Sequence, residues 1–237
     1  MASLPVLMYH NVSEDKNKSF RLTISTVKLE EQFRYFSENN YTTFHFSELE
    51  NRIALPPKSI VITFDDVTTN QFLHAVPLLK KYGLKATFFI PFYYLGKTDE
   101  WNKGAEKIMT LSELQAIDPS LIEFGYHSSR HRHYAKLSDA EIQEDFDESE
   151  RIIAANGLKV YPALAFPYGN YPKKEPQKSR FQELLKKNNI KFGLKIGNRR
   201  NKFPFKNTFE VQRIDVKGED SFLKFRLKLK FGKLKLF

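Results

Sequence analysis

Two adjacent carboxylates close a strongly apolar run of the chain, and two imidazoles follow further along. Asp65 and Asp66 end the run 60–66, and His127 and His131 lie four positions apart. One carboxylate with two imidazoles is a common ligand set for a divalent metal, and it leaves a coordination position open for water. The other carboxylate would stand beside that water as a base. The pattern therefore indicates a hydrolytic enzyme.

The residue types and their spacing do not decide which histidine is the third metal ligand. His133 lies two residues after His131 and could replace it. Any one of these histidines, taken alone, is more typical of a surface residue or a hydrogen-bonded one. The interpretation therefore depends on the set of residues and not on any single member.

Strands that alternate with helices are predicted to position these side chains. The apolar, β-branched run 60–64 predicts a buried strand with the two carboxylates at its C-terminal end. In barrels and open α/β sheets, that end is where catalytic groups assemble. The other predicted strands are 5–9, 86–90, 122–126, 163–166 and 192–196, and the predicted helices are 28–39, 70–82, 111–117, 138–155 and 178–188. This alternation is typical of one α/β domain with a parallel sheet, either open or closed into a barrel.

Composition excludes several classes of site. The 237 residues contain no cysteine, so disulfides, thiolate metal sites and cysteine nucleophiles are ruled out. The hydrophobic fraction of 41% fits a globular chain. The N-terminal residues have no basic region followed by an apolar one, and no apolar run reaches the roughly 18–20 residues of a membrane span. We expect a cytoplasmic or inner-membrane-associated protein, unless a secretion signal was removed.

The net charge of +10 is concentrated near the C-terminus. Residues 221–237 carry six Lys or Arg and no acid, which leaves +4 for residues 1–220. We assign 1–220 to the main domain and 221–237 to a basic amphipathic segment. In 223–231 apolar residues alternate strictly with basic ones, which predicts a strand: either a soluble edge strand, or a surface for an anionic membrane or polymer. No motif that reads nucleic acid accompanies the charge, so we expect no nucleic-acid partner.

Three segments resemble the first three motifs of the polysaccharide deacetylases, the carbohydrate esterase family 4 or NodB-homology group. They are 63–66 (Thr-Phe-Asp-Asp), 127–131 (His-Ser-Ser-Arg-His) and 166–169 (Phe-Pro-Tyr-Gly), in the order and spacing of the family. The resemblance extends from Leu4 to about Val216. It implies a distorted (β/α)7-type barrel that removes N-acetyl groups from amino sugars with Zn2+, or with another divalent metal such as Co2+ or Ni2+.

The resemblance also assigns roles to the residues of the motifs. Asp65 would be the catalytic base, and the metal ligands would be Asp66, His127 and His131. The backbone N–H of Tyr168 would help to hold the oxyanion. Sugar rings stack on aromatic faces, so side chains near the ends of the strands could line a glycan groove. The residues proposed to contact the substrate are Pro167, Tyr168 and Tyr126.

The chain departs from the family pattern at three places. Val67 stands where the family usually has glycine, Ala165 stands where it has an arginine that tunes the base, and no histidine after His133 can supply the usual late general acid. One subgroup, the poly-β-1,6-N-acetylglucosamine deacetylases, has a circularly permuted barrel in which a histidine of the first strand takes that position. The segment 6–12 (Val-Leu-Met-Tyr-His-Asn-Val) resembles this strand, which implies that His10 is the general acid.

The same subgroup has an arginine after a late strand, and Arg213-Ile214 resembles it. Arg213 would then orient Asp65 or bind substrate, although an ordinary surface salt bridge is the alternative. Three functions follow. The first is deacetylation of a bacterial surface polysaccharide or exopolysaccharide. The second is deacetylation or deformylation of a lipid-linked sugar precursor in the cytoplasm, and the third is a catalytically silent glycan-binding module.

Overall fold

Seven parallel strands close into a barrel with helices packed around its outside. The computed structural model describes residues 2–232. Its strands are β1 (Ala2–Leu4), β2 (Val6–Tyr9), β3 (Asn11–Ser13), β4 (Thr23–Ser25), β5 (Thr42–Thr43), β6 (Ser59–Asp65), β7 (Ala86–Ile90), β8 (Ile122–Tyr126), β9 (Ala163–Ala165), β10 (Phe192–Ile196), β11 (Asn201–Phe203) and β12 (Val211–Asp215). Its helices are α1 (Thr26–Glu38), α2 (Val76–Tyr82, preceded by a π-helical turn), α3 (Leu111–Gln115), α4 (Asp139–Asn156), α5 (Gln177–Lys187) and α6 (Phe222–Phe231).

The order of strands around the barrel is β2, β6, β7, β8, β9, β10 and β12, and β12 pairs again with β2. Leu7 in β2 lies opposite Ile62 on one side and Ile214 on the other. The first barrel strand therefore fills the gap between the second and the last, which leaves no unpaired edge in the ring. This confirms the (β/α)7-type barrel. The short strand β5 adds to β6, while β1 pairs with β11 and β3 with β4 outside the ring.

The predicted strands 86–90, 122–126 and 192–196 are confirmed with the same bounds. The seventh barrel strand, β12, is missing from the predicted strands. Gln212 and Arg213 interrupt its apolar pattern, so it does not read as a buried run. The arginine is tolerated there because its charge is neutralised inside the barrel, as described below.

Period-two alternation along the strands separates two buried layers. In β6, Ile60, Ile62 and Phe64 belong to the large cluster between the strands and the helices, whereas Val61 belongs to a second cluster inside the ring. Successive side chains of a strand point to opposite faces, so Asp65 faces inward with Val61. The same rule places Arg213 inside the barrel with Val211.

The C-terminal segment is a helix over Phe222–Phe231, so the predicted strand is wrong. The barrel is closed and offers this segment no free edge, whereas α1 offers an apolar surface. Ser221 caps the helix by accepting from the N–H of Lys224, and Phe225 and Leu229 pack inward one turn apart. A period-two pattern cannot lie on one side of a helix, so part of its apolar surface stays exposed. Residues 233–237 of the predicted basic segment lie outside the described residues.

Candidate active site

A cavity of about 230 Å3 opens at the C-terminal ends of the barrel strands. β2, β6 and β8 each deliver polar side chains to it at or just after their last residues, as the sequence predicts. The predicted site residues that line it are His10, Asp65, Asp66, His127, His131 and Tyr168. The structure therefore brings together residues that are far apart along the chain.

Arg213 holds Asp65 in a bidentate ion pair deep in this site. Its Nη1 and Nη2 donate to Oδ1 and Oδ2 of Asp65 at 2.5 and 2.8 Å, and both side chains are buried. Burial is the strongest influence and acts to raise the pKa of Asp65, but the charge and hydrogen bonds of Arg213 together with the charges of His127 and His10 outweigh burial and hold that pKa below its usual range. Asp65 is therefore an oriented, ionised carboxylate. A surface salt bridge, the alternative for Arg213, does not describe this pair.

Three ligand atoms converge beside Asp65. Asp66 Oδ1 lies 3.4 Å from Nε2 of His127 and 3.4 Å from Nε2 of His131, and the three atoms lie within 4.8 Å of one another. Asp66 Oδ1 is buried, and no described group hydrogen-bonds to it. A buried carboxylate oxygen without a partner is costly unless a cation or water satisfies it. The set therefore fits a divalent metal, and His133 is not part of it.

His127 is prepared for this role by its second ring nitrogen. Its Nδ1 lies 2.8 Å from the carbonyl oxygen of Ala165, an arrangement that leaves Nε2 as the free acceptor. Burial lowers the pKa of His127 to about 4, so the ring is neutral near pH 7, as a metal ligand must be. Ala165 thus contributes its backbone carbonyl to His127, and the guanidinium that contacts Asp65 comes from Arg213 on β12.

Aromatic rings hold His131, whose Nδ1 is buried without a hydrogen-bond partner. Trp101 stacks on its imidazole with ring centroids 4.1 Å apart, and Tyr168 meets it edge-on at 4.6 Å. His133 stacks on the ring of Tyr168, with ring centroids 3.8 Å apart. Stacking therefore fixes the orientation of His131 where a hydrogen bond to its second nitrogen would usually do so.

Asp145 on α4 organises the loop that carries the two histidines. Its carboxylate accepts hydrogen bonds from the hydroxyl of Ser128 at 3.0 Å and from the hydroxyl of Tyr134 at 2.9 Å. The backbone N–H of Ser129 donates to both of its oxygens, at 3.1 and 3.2 Å. Ser128 and His131 have positive φ angles of 64° and 50°. Such backbone conformations persist when the surroundings stabilise them, and this buried carboxylate does so.

His10 follows β2 and reaches the same cavity. Its Nε2 lies 3.7 Å from Oδ2 of Asp65, and its Nδ1 is buried without a partner. The side-chain amide of Gln71 donates to the carbonyl oxygens of His10 and Asp65, at 3.1 and 2.6 Å, and so ties the ends of β2 and β6 together. The position of His10 is compatible with proton transfer at the cavity.

The residues proposed to bind substrate lie in different environments. Tyr168 lines the cavity, is 46% exposed and has a φ of 58°. Pro167 precedes it but is buried and is not among the residues that line the cavity. Tyr126 is also buried outside the cavity, where its hydroxyl donates to Glu150 at 2.5 Å. The structure therefore brings Tyr168, and not Tyr126, to the site.

Val67 adopts a conformation that suits glycine better. Its φ is 45°, and Asp66 before it has a φ of 78°. A β-branched residue at positive φ is strained, which gives a physical reason for the glycine that the family usually has here. The side chain of Val67 is fully buried in the main apolar cluster, and this packing opposes the strain.

Sequence reasoning missed two positioning residues, Asp145 and Gln71, and left Trp101 without a defined role. Asp145 had a detectable signal, because it falls on the buried face of α4 between Ile142 and Ser149. A carboxylate at an apolar position of a helix needs buried partners. Gln71 and Trp101 had no such signal, since Gln71 links β6 to the distant residue His10 and Trp101 stacks on the distant residue His131.

The fold and the site define a (β/α)7-type barrel with a candidate metal site beside a carboxylate at its C-terminal rim. The family model described as "Polysaccharide deacetylase" matches residues 52–192, more than half of the chain. The chain therefore belongs to the polysaccharide deacetylase family, which confirms the resemblance carried by its motifs.

Comparisons with individual proteins agree with this family. The poly-β-1,6-N-acetyl-D-glucosamine N-deacetylase of Staphylococcus aureus (strain MSSA476) is 26% identical over 175 residues, which cover 69% of this chain and 58% of that protein. The chain thus matches little more than half the length of this curated relative.

Solved structures share the fold. The deacetylase PplD of Streptococcus pyogenes, in complex with acetate, superposes with a TM-score of 0.77 at 20% identity, covering 98% of this chain and 99% of that one. IcaB from Ammonifex degensii superposes with a TM-score of 0.74 at 22% identity, covering 95% and 96%. Identities this low show a common fold and no more.

Proposed function

We propose that the protein is a metal-dependent hydrolase that removes N-acetyl groups from N-acetylhexosamine units of a bacterial surface polysaccharide or exopolysaccharide. One observation carries the proposal: a carboxylate held by a buried arginine stands beside three converging metal-ligand atoms at the rim of the barrel. Family membership and the relative named as a poly-β-1,6-N-acetyl-D-glucosamine N-deacetylase support the substrate class.

Asp66, His127 and His131 would hold the metal. Two imidazoles and one carboxylate suit Zn2+, and Co2+ or Ni2+ bind similar sets. When bound, such an ion supplies Lewis acidity, which polarises the amide carbonyl and acidifies water. Trp101 would keep the His131 ring in place for this purpose through the stacking described above.

Asp65 would accept the proton of the water that attacks the amide carbonyl carbon. Its lowered pKa makes it a weaker base than a free carboxylate, so its contribution comes from its fixed position more than from its proton affinity. Arg213 fixes that position, because its two donors each bond one carboxylate oxygen and so set the orientation of the Asp65 carboxylate.

His10 would complete the reaction. As the carbon–nitrogen bond breaks, acetate leaves and the sugar nitrogen takes a proton to become an amine. The imidazole of His10 lies on the Asp65 side of the cavity and would donate that proton. The backbone N–H of Tyr168 would stabilise the negative charge that develops on the carbonyl oxygen, and its ring with that of Trp101 would contact the sugar.

Acetate release from β-1,6-linked N-acetylglucosamine oligomers, measured with purified protein and added Zn2+, tests the proposal. Asp65→Asn keeps the shape of the side chain and removes the base, so we expect turnover to fall about 10²–10⁴-fold while the metal stays bound. Asp147→Asn, at an exposed position of α4, is the matched control and should retain wild-type turnover. No acetate from the wild-type protein, or full activity in Asp65→Asn, would contradict the proposal.

A further inference from the structure

The helix α6 packs on α1 through one side. Phe225 lies 5.7 Å from Phe36 between ring centroids, and Phe222 lies 5.6 Å from Tyr35. On an adjoining side of the helix the positive charges are compensated, because Lys224 and Lys228 form ion pairs with the buried Asp220. These contacts account for two sides of the helix. On the outward side, Arg226 lies over the ring of Tyr35 at 5.4 Å, while Leu223 and Phe231 stay mostly exposed to solvent.

That outward side combines apolar and basic side chains. Leu223, Leu227 and Phe231 are spaced four residues apart and so form one stripe, in which Leu223 is 65% and Phe231 is 59% exposed. Arg226 and Lys230 lie alongside the stripe, and neither forms an ion pair with any residue of 2–232. We use the term α6 face for this surface, which is formed by Leu223, Arg226, Leu227, Lys230 and Phe231.

The surroundings of the α6 face are basic. A cavity of about 410 Å3 lies between this face and the N-terminal ends of the barrel strands. Lys58 and Arg200 add to Arg226 and Lys230 in its lining, and no acidic residue lines it. The sequence after the described residues, Lys-Leu-Lys-Leu-Phe at 233–237, adds two more lysines and three more apolar residues.

We propose that the α6 face docks on the surface of an anionic lipid bilayer. A soluble polyanion would need only the cations, and it would leave Leu223 and Phe231 in water. A bilayer interface accepts both: anionic headgroups bind Arg226 and Lys230, while the apolar stripe enters the boundary of the acyl region. Contact of this kind is peripheral, and no helix within residues 2–232 is long and apolar enough to span a membrane.

The position of the α6 face leaves the catalytic rim uncovered. The cavity next to the face is lined by Pro5 and Ser59, which lie where β2 and β6 begin. The candidate active site lies where the same two strands end. A protein docked in this way could therefore act on a polymer while it is held at the bilayer, a consequence that rests on the proposed function.

Co-sedimentation with vesicles tests the docking. We expect the protein to bind vesicles of equal parts phosphatidylcholine and phosphatidylglycerol, and to bind vesicles of phosphatidylcholine alone much more weakly. Arg226→Glu/Lys230→Glu should lower the partition coefficient at least roughly tenfold, because two attractive charges become repulsive. Lys174→Glu/Lys187→Glu is the control, since it changes the net charge equally at exposed positions of another part of the surface.

A second pair of variants separates a bilayer from a soluble polyanion. Leu223→Ser/Phe231→Ser leaves the charge unchanged and should still lower the partition coefficient at least roughly tenfold, because the apolar stripe is lost. Leu73→Ser, at an exposed leucine elsewhere, should not lower it. Absence of binding to anionic vesicles, or wild-type binding by Leu223→Ser/Phe231→Ser, would overturn the proposal. Sedimentation does not depend on acetate release, so the result is independent of the enzymatic activity.

Discussion

Both terminal nitrogens of Arg213 donate to the two carboxylate oxygens of Asp65, although 148 positions separate the residues in sequence. Arg213 is fully buried and Asp65 almost so. Each charge therefore depends on the other for compensation, since neither is solvated by bulk water. The pair fixes the candidate base at the rim of the barrel and at the same time joins β6 to β12, the two strands that flank β2 in the ring.

The mutual dependence of these two charges predicts a strongly non-additive stability. Arg213→Met leaves the Asp65 carboxylate buried without its partner, and we expect it to lower the free energy of unfolding by about 3–5 kcal/mol. Arg213→Met/Asp65→Asn leaves no uncompensated charge, so it should be more stable than Arg213→Met alone. Urea denaturation of the wild type, both single variants and the double variant measures the coupling. Additive losses would contradict this account.

The converging ligand atoms predict which histidine is needed for the metal. His131→Ala removes one of the three ligands and should lower the affinity for Co2+ at least roughly a hundredfold, whereas His133→Ala should keep nearly wild-type affinity. Titration with Co2+, followed by the absorption of the bound ion, measures both. The reverse order of affinities would show that His133 is the ligand.

The place of His10 predicts a loss of turnover without a loss of metal. His10→Gln removes the proton donor but retains a polar side chain, so acetate release should fall about 10²–10⁴-fold. The metal content should not change, because His10 is not among the three converging ligands. Acetate assays and elemental analysis of the same preparation test the two parts. Full activity in His10→Gln would mean that another group protonates the amine.

The contacts of Asp145 predict that it controls metal affinity from a distance. Asp145→Asn places an amide group against donors that need an acceptor, and the loop carrying His127 and His131 should lose its geometry. We expect the affinity for Co2+ to fall about 10–100-fold, as for other residues that support metal ligands. The exposed Asp147→Asn on the same helix should bind Co2+ normally. Reduced thermal stability with unchanged affinity would instead show a purely structural role.

The buried carboxylate of Asp220 predicts a pH-dependent stability. Burial acts to raise its pKa, but the hydrogen bonds and charges of Lys228 and Lys224 outweigh burial and lower that pKa below its usual value. A lowered folded-state pKa contributes stability that is present above the unfolded value, about 4, and lost as the pH falls through the folded value. Asp220→Asn should therefore be less stable than the wild type at pH 7, and the difference should shrink in acid. Urea denaturation at several pH values measures it, and a constant difference would contradict the assignment.

The barrel strands show how far local patterns reach. Apolar runs such as 60–64 and 86–90 define strands because a parallel strand is buried on both faces. The pattern 223–231 misled for the opposite reason: alternation predicts a strand, but the closed barrel had no edge for it and α1 had an apolar surface for a helix. Availability of a partner decided the outcome, and availability is not a local property.

The sequence by itself determined which groups could do chemistry, because residue type and spacing along a strand or loop are local. Asp65, Asp66, His127 and His131 are recognisable as a set before any folding. Only the tertiary structure decided how the set is held, since closure of the ring brings β12 against β2 and Arg213 onto Asp65. The contacts of Trp101 and Asp145 with the histidine loop have the same origin. These contacts join segments that come close in space only when the whole chain is packed.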